Sequence, residues 1–285
     1  MPTETVYGLA ARADDEEAVA RIFAAKGRPG FNPLIVHVTD AAAARRLVAF
    51  DSRAEALASR FWPGALTLVL PLHPDGVVAS RVHAGLATLA VRCPAHPAMR
   101  ALLKEVGTPI AAPSANASET VSPTTAAHVL STLDGRIDAV VDGGATEQGL
   151  ESTIVALRGD GTWSLLREGP VTREALVTIL GPEASPGTAI EAPGQLARHY
   201  APGKPMRLEA AEAQAGEFMI GFGGVFGDVT LSASSDLGEA ASCLYACLHL
   251  AAGSDKPRIA VAPVPNEGVG RAINDRLRRA AAPRG

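Results

Sequence analysis

Lys26-Gly27-Arg28-Pro29-Gly30-Phe31-Asn32-Pro33-Leu34-Ile35-Val36-His37-Val38 joins the end of one predicted element to the whole of the next. Leu34–Val38 is apolar at every position but His37, follows a Pro/Gly-rich loop and has the length of a strand. A helical pattern covers Glu16–Ala25 just upstream. Helix, short cationic loop and buried strand in succession read as an α/β domain built on a sizeable sheet. The alternation runs on through residues 2–180. Further strands are predicted at Thr67–Leu70, Leu86–Val91, Pro109–Ala112, Ala139–Val141, Ser152–Leu157 and Trp163–Leu166. Helices are predicted at Arg53–Phe61, Pro97–Val106 and Thr125–Leu133, and Thr172 with Glu174 opens one that ends at Gly181.

Strand periodicity assigns faces. Ile35 and His37 share one side of their strand, opposite Leu34, Val36 and Val38. Thr88, Ala90 and Arg92 likewise oppose Leu89 and Val91. A guanidinium ending an apolar strand needs a partner or an opening; otherwise it snorkels past the sheet edge.

Residues 181–205 mix Pro182, Pro186, Pro193, Pro202 and Pro205 with Gly181, Gly187, Gly194 and Gly203, and lose all periodicity. They read as a linker, yet they hold Arg198-His199-Tyr200-Ala201-Pro202, a cluster no spacer requires. Residues 206–285 read as a second, small α/β unit with strands at Phe218–Phe222 and Arg258–Ala262 and helices at Leu237–Ala252 and Gly270–Ala281. Arg271, Arg276, Arg278 and Arg279 on the last helix read as a solvated face, with a tRNA-contacting role as the minority reading. Gly221, Gly223, Gly224 and Gly227 do not match a dinucleotide fingerprint and read as turn glycines.

Composition narrows the function classes. With 47% hydrophobic but 4% aromatic residues, Ala, Val and Leu must fill the core. The 26 basic and 30 acidic residues leave a net charge of −4, which argues against a protein built mainly to hold nucleic acid. Cys93, Cys243 and Cys247 form neither a disulfide framework nor a paired zinc motif. No membrane-length apolar run and no signal-peptide pattern is present, so a cytoplasmic protein without a membrane partner is expected.

Two more stretches bear on chemistry: Pro2-Thr3-Glu4-Thr5-Val6-Tyr7-Gly8-Leu9 and Ile110-Ala111-Ala112-Pro113-Ser114-Ala115-Asn116. Cations such as Lys26 and Arg28 offset phosphate charge, and groups such as those of Ser114 and Asn116 fix phosphate oxygens. Each triplet alone is equally a pair of exposed helix-end cations, or an ordinary Ser/Asn turn. In combination with Asn32-Pro33 and His37, these stretches resemble the threonylcarbamoyl-AMP synthase family of the YrdC-like superfamily.

That resemblance implies a YrdC-like twisted mixed sheet with flanking helices over 1–180, a linker and active-site lid over 181–205, and a small Rossmann-like α/β domain over 206–285. It implies condensation of L-threonine, bicarbonate or CO2, and ATP to threonylcarbamoyl-AMP and pyrophosphate, for use by a downstream threonylcarbamoyl transferase complex that modifies tRNA. Lys26, Arg28, Ser114 and Asn116 are then the catalytic set. Thr5, His37, Arg92 and Ser152, with Thr3 beside them, are the threonine pocket. Arg28, Asn32, Thr88, Ser114, Ser122 and Arg167 are the ATP contacts, and His199 and Tyr200 are lid residues. Mg2+ is expected with ATP, its protein ligands unassigned. The family pattern has about one helix and one strand before the Pro2–Leu9 segment, so Thr3 and Thr5 are expected at a frayed terminus. Many members also carry Lys-Tyr where this chain has Leu196-Ala197. A second enzyme reading is the related carbamoyl-transfer module of hydrogenase maturation; that protein normally carries zinc-finger and acylphosphatase parts, and the cysteine count excludes the zinc fingers. The alternative from another class is a double-stranded-RNA or tRNA-binding module, to which the threonine-pocket residues would mean nothing.

Overall fold

Along the chain run β1 (Ala11–Arg12), α1 (Glu16–Lys26), β2 (Ile35–His37), α2 (Ala41–Arg45), α3 (Ser52–Phe61), β3 (Leu66–Pro71), α4 (Ser80–His83), β4 (Thr88–Arg92), α5 (Pro97–Val106), β5 (Ile110–Ala111), α6 (Ala126–Leu133), β6 (Thr153–Leu157), β7 (Trp163–Arg167) and α7 (Arg173–Leu180). The second part adds β8 (Met206–Arg207), β9 (Glu217–Gly221), β10 (Val229–Thr230), α8 (Leu237–Gly253), β11 (Arg258–Val261) and α9 (Gly270–Ala281). The computed structural model describes residues 1–184, 191–193 and 199–283. Asp15, Asp40, Asp51, Thr125, Thr172 and Asp236 start their helices by accepting first-turn N–H groups.

The first seven strands form one mixed sheet in the order β1-β5-β2-β4-β3-β6-β7. The pairs β2/β4 and β3/β6 are parallel, and β3/β4 and β6/β7 antiparallel. Alternation sorts its faces as predicted. Leu34, Val36, Leu68, Leu89, Val91 and Val155 enter the main core under the helices. Ile35, Val69, Ala90 and Ile154 line the other face, where Ala192 of the connecting segment packs on them. The strand predicted at Ala139–Val141 is absent: Ala139 and Val141 are exposed, and neither sheet includes them. Apolar residues become a strand only where a ladder partner is at hand.

The last four strands form a parallel sheet in the order β10-β9-β11-β8, with α8 and α9 packed together. Its core reaches back into the first part, because Val6, Val121, Leu150 and Tyr200 pack with residues of α8 and α9. Gly149 marks the closest approach: its φ is +65°, and a Cβ there would lie 2.4 Å from the Ser242 carbonyl oxygen. No helix among the described residues is long and apolar enough to cross a membrane.

Candidate active site

A cleft opens on the face of the first sheet away from the main core. Its walls are Thr3, Thr5, Arg28, His37, Arg92, Ser114, Glu151, Ser152, Arg167, His199 and Tyr200, with Val6, Gly8, Ile35, Ala112, Pro113 and Pro193. The topology explains the gathering. The parallel strands β2 and β4 lie side by side and pair His37 with Arg92, so both side chains leave the same face at the same level. The Pro2–Leu9 segment runs beside 113–115, where Leu9 N–H meets the Pro113 carbonyl and Ala115 N–H the Tyr7 carbonyl.

Thr3 and Thr5 are not frayed. They are 2% and 1% exposed. Their hydroxyls lie 2.8 Å apart, and the Thr3 hydroxyl donates to the Val6 carbonyl at 2.6 Å. Upstream, the Met1 ammonium donates to the Gly8 carbonyl and Gly8 N–H to the Met1 carbonyl. The main tie is a buried ion pair. Arg92 donates to Glu4 at 2.5 Å, to Thr5 Oγ1 at 2.9 Å and to the Gly64 carbonyl at 3.1 Å. A guanidinium has five donors, so two remain for an incoming anion. Burial, then Arg92, pushes His37 down to about 3, which leaves a neutral imidazole whose Nδ1 has no partner among the described residues.

The other end of the cleft is cationic. Gly27, in the left-handed region at φ +60°, ends α1 and releases Arg28 into the loop. Arg28 donates to the carbonyls of Asn32 and Pro33 at 3.0 and 2.8 Å. Arg167 donates to the Ser152 carbonyl and hydroxyl at 2.9 and 3.1 Å. Neither is ion-paired among the described residues. Burial and then the charge of Arg167 push Arg28 down to about 10, and burial lowers Arg167 as well. Two guanidiniums that repel each other across one cleft make a site for an anion of more than one charge.

Four of the expected residues sit just behind these walls. Lys26 does not face the cleft; its ammonium donates at 2.5 Å to the carbonyls of both Ser114 and Asn116. Asn116 donates to Thr120, Asn32 is 3% exposed, and each amide oxygen lacks a partner among the described residues. Ser122 is fully buried and donates to Glu151 at 2.5 Å. Thr88 is not brought in. It shares the face of Arg92 but pairs with Pro71, at the opposite end of β4. Arg198 and Leu196-Ala197 lie outside the described residues.

Two carboxylates escaped the sequence reading. Glu4 is one, and Glu151 the other. Glu151 accepts from Ser122, from the Tyr245 hydroxyl at 2.8 Å and from Arg276 Nε at 3.1 Å. Arg276 thereby overturns its reading as part of a solvated face: it is 0% exposed. Its flank was legible, since Ile273, Leu277 and Ala280 share its side of α9 and are buried with it. Arg278 is exposed, while Arg271 and Arg279 pair with Glu174 and Asp275.

The buried imidazoles give a pH dependence. Burial pushes His37 and His199 down to about 3 from 6.5. An unfolded chain takes up both protons near 6.5, the folded one holds out far lower, so stability falls as the pH drops through that window. The expected loss is roughly 2 kcal/mol for each imidazole at pH 5. Chemical denaturation at pH 7 and pH 5 checks it, and His37→Gln should remove only that residue's share, about half of the difference from the two imidazoles. A resident metal does not fit this site. Among the described residues no three His, Cys, Asp or Glu side chains converge, and Glu151, the carboxylate in the cleft wall, is committed to Arg276.

Comparison with known proteins places the chain in a family. The Sua5_yciO_yrdC family model, described as "Telomere recombination", matches residues 1–169. A second model, "Threonylcarbamoyl-AMP synthase, C-terminal domain", matches residues 171–282. The chain belongs to the threonylcarbamoyl-AMP synthase family. It is 42% identical to the threonylcarbamoyl-AMP synthase of Bacillus subtilis, over 100% of this chain and 89% of that protein. It is 38% identical to that of Pyrococcus abyssi, over 99% and 89%. The crystal structure of P. abyssi Sua5 complexed with L-threonine superposes with a TM-score of 0.89 at 36% identity, covering 98% of this chain and 89% of that one. Membership in the threonylcarbamoyl-AMP synthase family makes the chain an enzyme of nucleotidyltransferase type.

Proposed function

We propose that this chain condenses L-threonine, bicarbonate or CO2, and ATP to L-threonylcarbamoyl-AMP and pyrophosphate. The observation that carries the reading is the division of the cleft into two ends. One presents a single guanidinium with two spare donors, two threonine hydroxyls and a neutral imidazole, which suits a hydroxy amino acid held by its carboxylate. The other presents Arg28 and Arg167, neither in an ion pair among the described residues, the nearby Glu151 carboxylate being taken up by Arg276, which suits a polyphosphate. L-threonine bound to P. abyssi Sua5 supports the first assignment.

In this reading the threonine amine adds to CO2 and loses a proton, forming an N-carboxylate. One oxygen of that group attacks the α-phosphorus of ATP, and the bond to pyrophosphate breaks. Arg92 and Thr5 orient threonine, and His37, kept neutral, adds no positive charge to lower the reactivity of the amine. Arg28 and Arg167 offset the charge that moves onto pyrophosphate. Lys26 holds the Ser114–Asn116 backbone in place, and His199 and Tyr200 close the open side as a lid. Mg2+ enters with ATP as part of the substrate. The adenylate passes to a downstream threonylcarbamoyl transferase complex, with at most weak tRNA contact by this chain, in the cytoplasm. Pyrophosphate release should require ATP, threonine and bicarbonate together. Release that ignores threonine would overturn the reading.

A further inference from the structure

Two buried ion pairs brace the cleft, and only one belongs to the first sheet. Glu4–Arg92 holds the threonine end from within. Glu151–Arg276 holds the other end, and its cation comes from α9 of the C-terminal domain. Arg276 is wholly buried, with Cζ 5.3 Å from the ring of Tyr200, and Tyr245 from α8 shares the Glu151 carboxylate. Glu151 and Tyr200 both line the cleft, and Glu151 is also the acceptor that fixes the Ser122 hydroxyl. Burial alone would push the Glu151 carboxyl up, but Arg276, then Arg167, then the two hydroxyls outweigh it and hold it at about 2.

We infer that Arg276 is a positioning residue for the polyphosphate end of the cleft: from the C-terminal domain it fixes Glu151 and braces Tyr200. The C-terminal domain thus completes the nucleotide half of the site and leaves the threonine half to the first sheet. Hydrophobic contact alone would join the two parts without aiming a charge at the cleft. Here a guanidinium crosses the boundary to meet a carboxylate whose other partners are Ser122 and Tyr245, and Arg167 lies within electrostatic reach. The inference rests on the nucleotide reading given above.

The test separates the two ends. Arg276→Met leaves Glu151 buried without its cation and risks misfolding, so the informative protein is the paired variant Glu151→Gln with Arg276→Met, which removes both charges. Binding of a non-hydrolysable ATP analogue and of L-threonine is measured by calorimetry on the full chain, with melting temperature as the control for folding. The expected result is analogue affinity weakened about tenfold or more and threonine affinity within twofold of the unaltered chain. Arg276→Lys should recover part of the loss. Analogue affinity unchanged in the folded paired variant, or both ligands weakened alike, would overturn the inference while leaving the synthase reading intact. Failure of the unaltered chain to bind the analogue would sink that reading instead, and the inference with it.

Discussion

Arg28→Ala is expected to lower ATP-dependent pyrophosphate release by about a hundredfold to a thousandfold, the range seen when one preorganised donor to a developing charge is removed. Arg28 lines the cleft, is turned into it by its contacts with Asn32 and Pro33, and faces Arg167 without an ion-pair partner among the described residues. Removing it halves the charge that meets the polyphosphate. It also relieves repulsion on Arg167, so the folded state should not suffer. Arg28→Lys keeps a charge but loses the planar fork that reaches two carbonyls at once, and should recover only part of the rate. Steady-state pyrophosphate release with saturating threonine and bicarbonate gives the number. A non-catalytic binding module for structured RNA would behave otherwise: it would show no ATP-dependent pyrophosphate release to lose, and the same variant would weaken a salt-dependent RNA affinity instead.

Much of the fold was legible because strand periodicity is a local signal. The alternation in Leu34–Val38 and in Thr88–Arg92 assigned His37 and Arg92 to the second face of the sheet, and the parallel pairing of β2 with β4 brings them level. Periodicity names a face, however, and not a distance. Thr88 shares that face with Arg92, yet four residues of extended chain place it about 13 Å away, beyond the cleft. Ala139–Val141 failed for a related reason: a strand needs a neighbour, and its neighbour is not written in its own residues.

The partners of the charged groups were the hidden part. Glu4 and Glu151 look in sequence like any acidic residue, and burial of a carboxylate becomes affordable only when a distant cation meets it. Arg92 is 88 positions from Glu4, and Arg276 is 125 from Glu151. No pattern within a helix or strand links residues so far apart. The cations offered local hints: Arg92 ends an apolar strand, and Arg276, amid Ile273, Leu277 and Ala280, sits on the apolar side of its helix, so each needs a partner or an opening.

Lys26 makes the same point with the largest structural consequence. Its 3% exposed side chain joins the two motifs that first suggested nucleotide chemistry, with 88 positions between Lys26 and Ser114. Burial, then the charge of Arg28, pulls Lys26 well below the usual lysine range, and it remains a donor to two carbonyls in either charge state. Lys26→Met keeps the length of the apolar stem and removes the nitrogen that donates to both carbonyls. The Ser114 carbonyl still receives Asn116 N–H at 3.0 Å, while the Asn116 carbonyl loses the contact from Lys26. The expected cost is about 3 kcal/mol of stability, a large share of what a protein of this kind possesses, and it should appear as a lower midpoint in chemical denaturation. Turnover should fall further than the population of folded protein explains, because Ser114 lines the cleft and its backbone is what Lys26 holds. Lys26→Arg should not rescue it, since a planar fork cannot enter a site shaped for one nitrogen between two carbonyls. Wild-type turnover per folded molecule in Lys26→Met would show that Ser114 is held by its neighbours alone, and that the link between the two motifs is structural rather than functional.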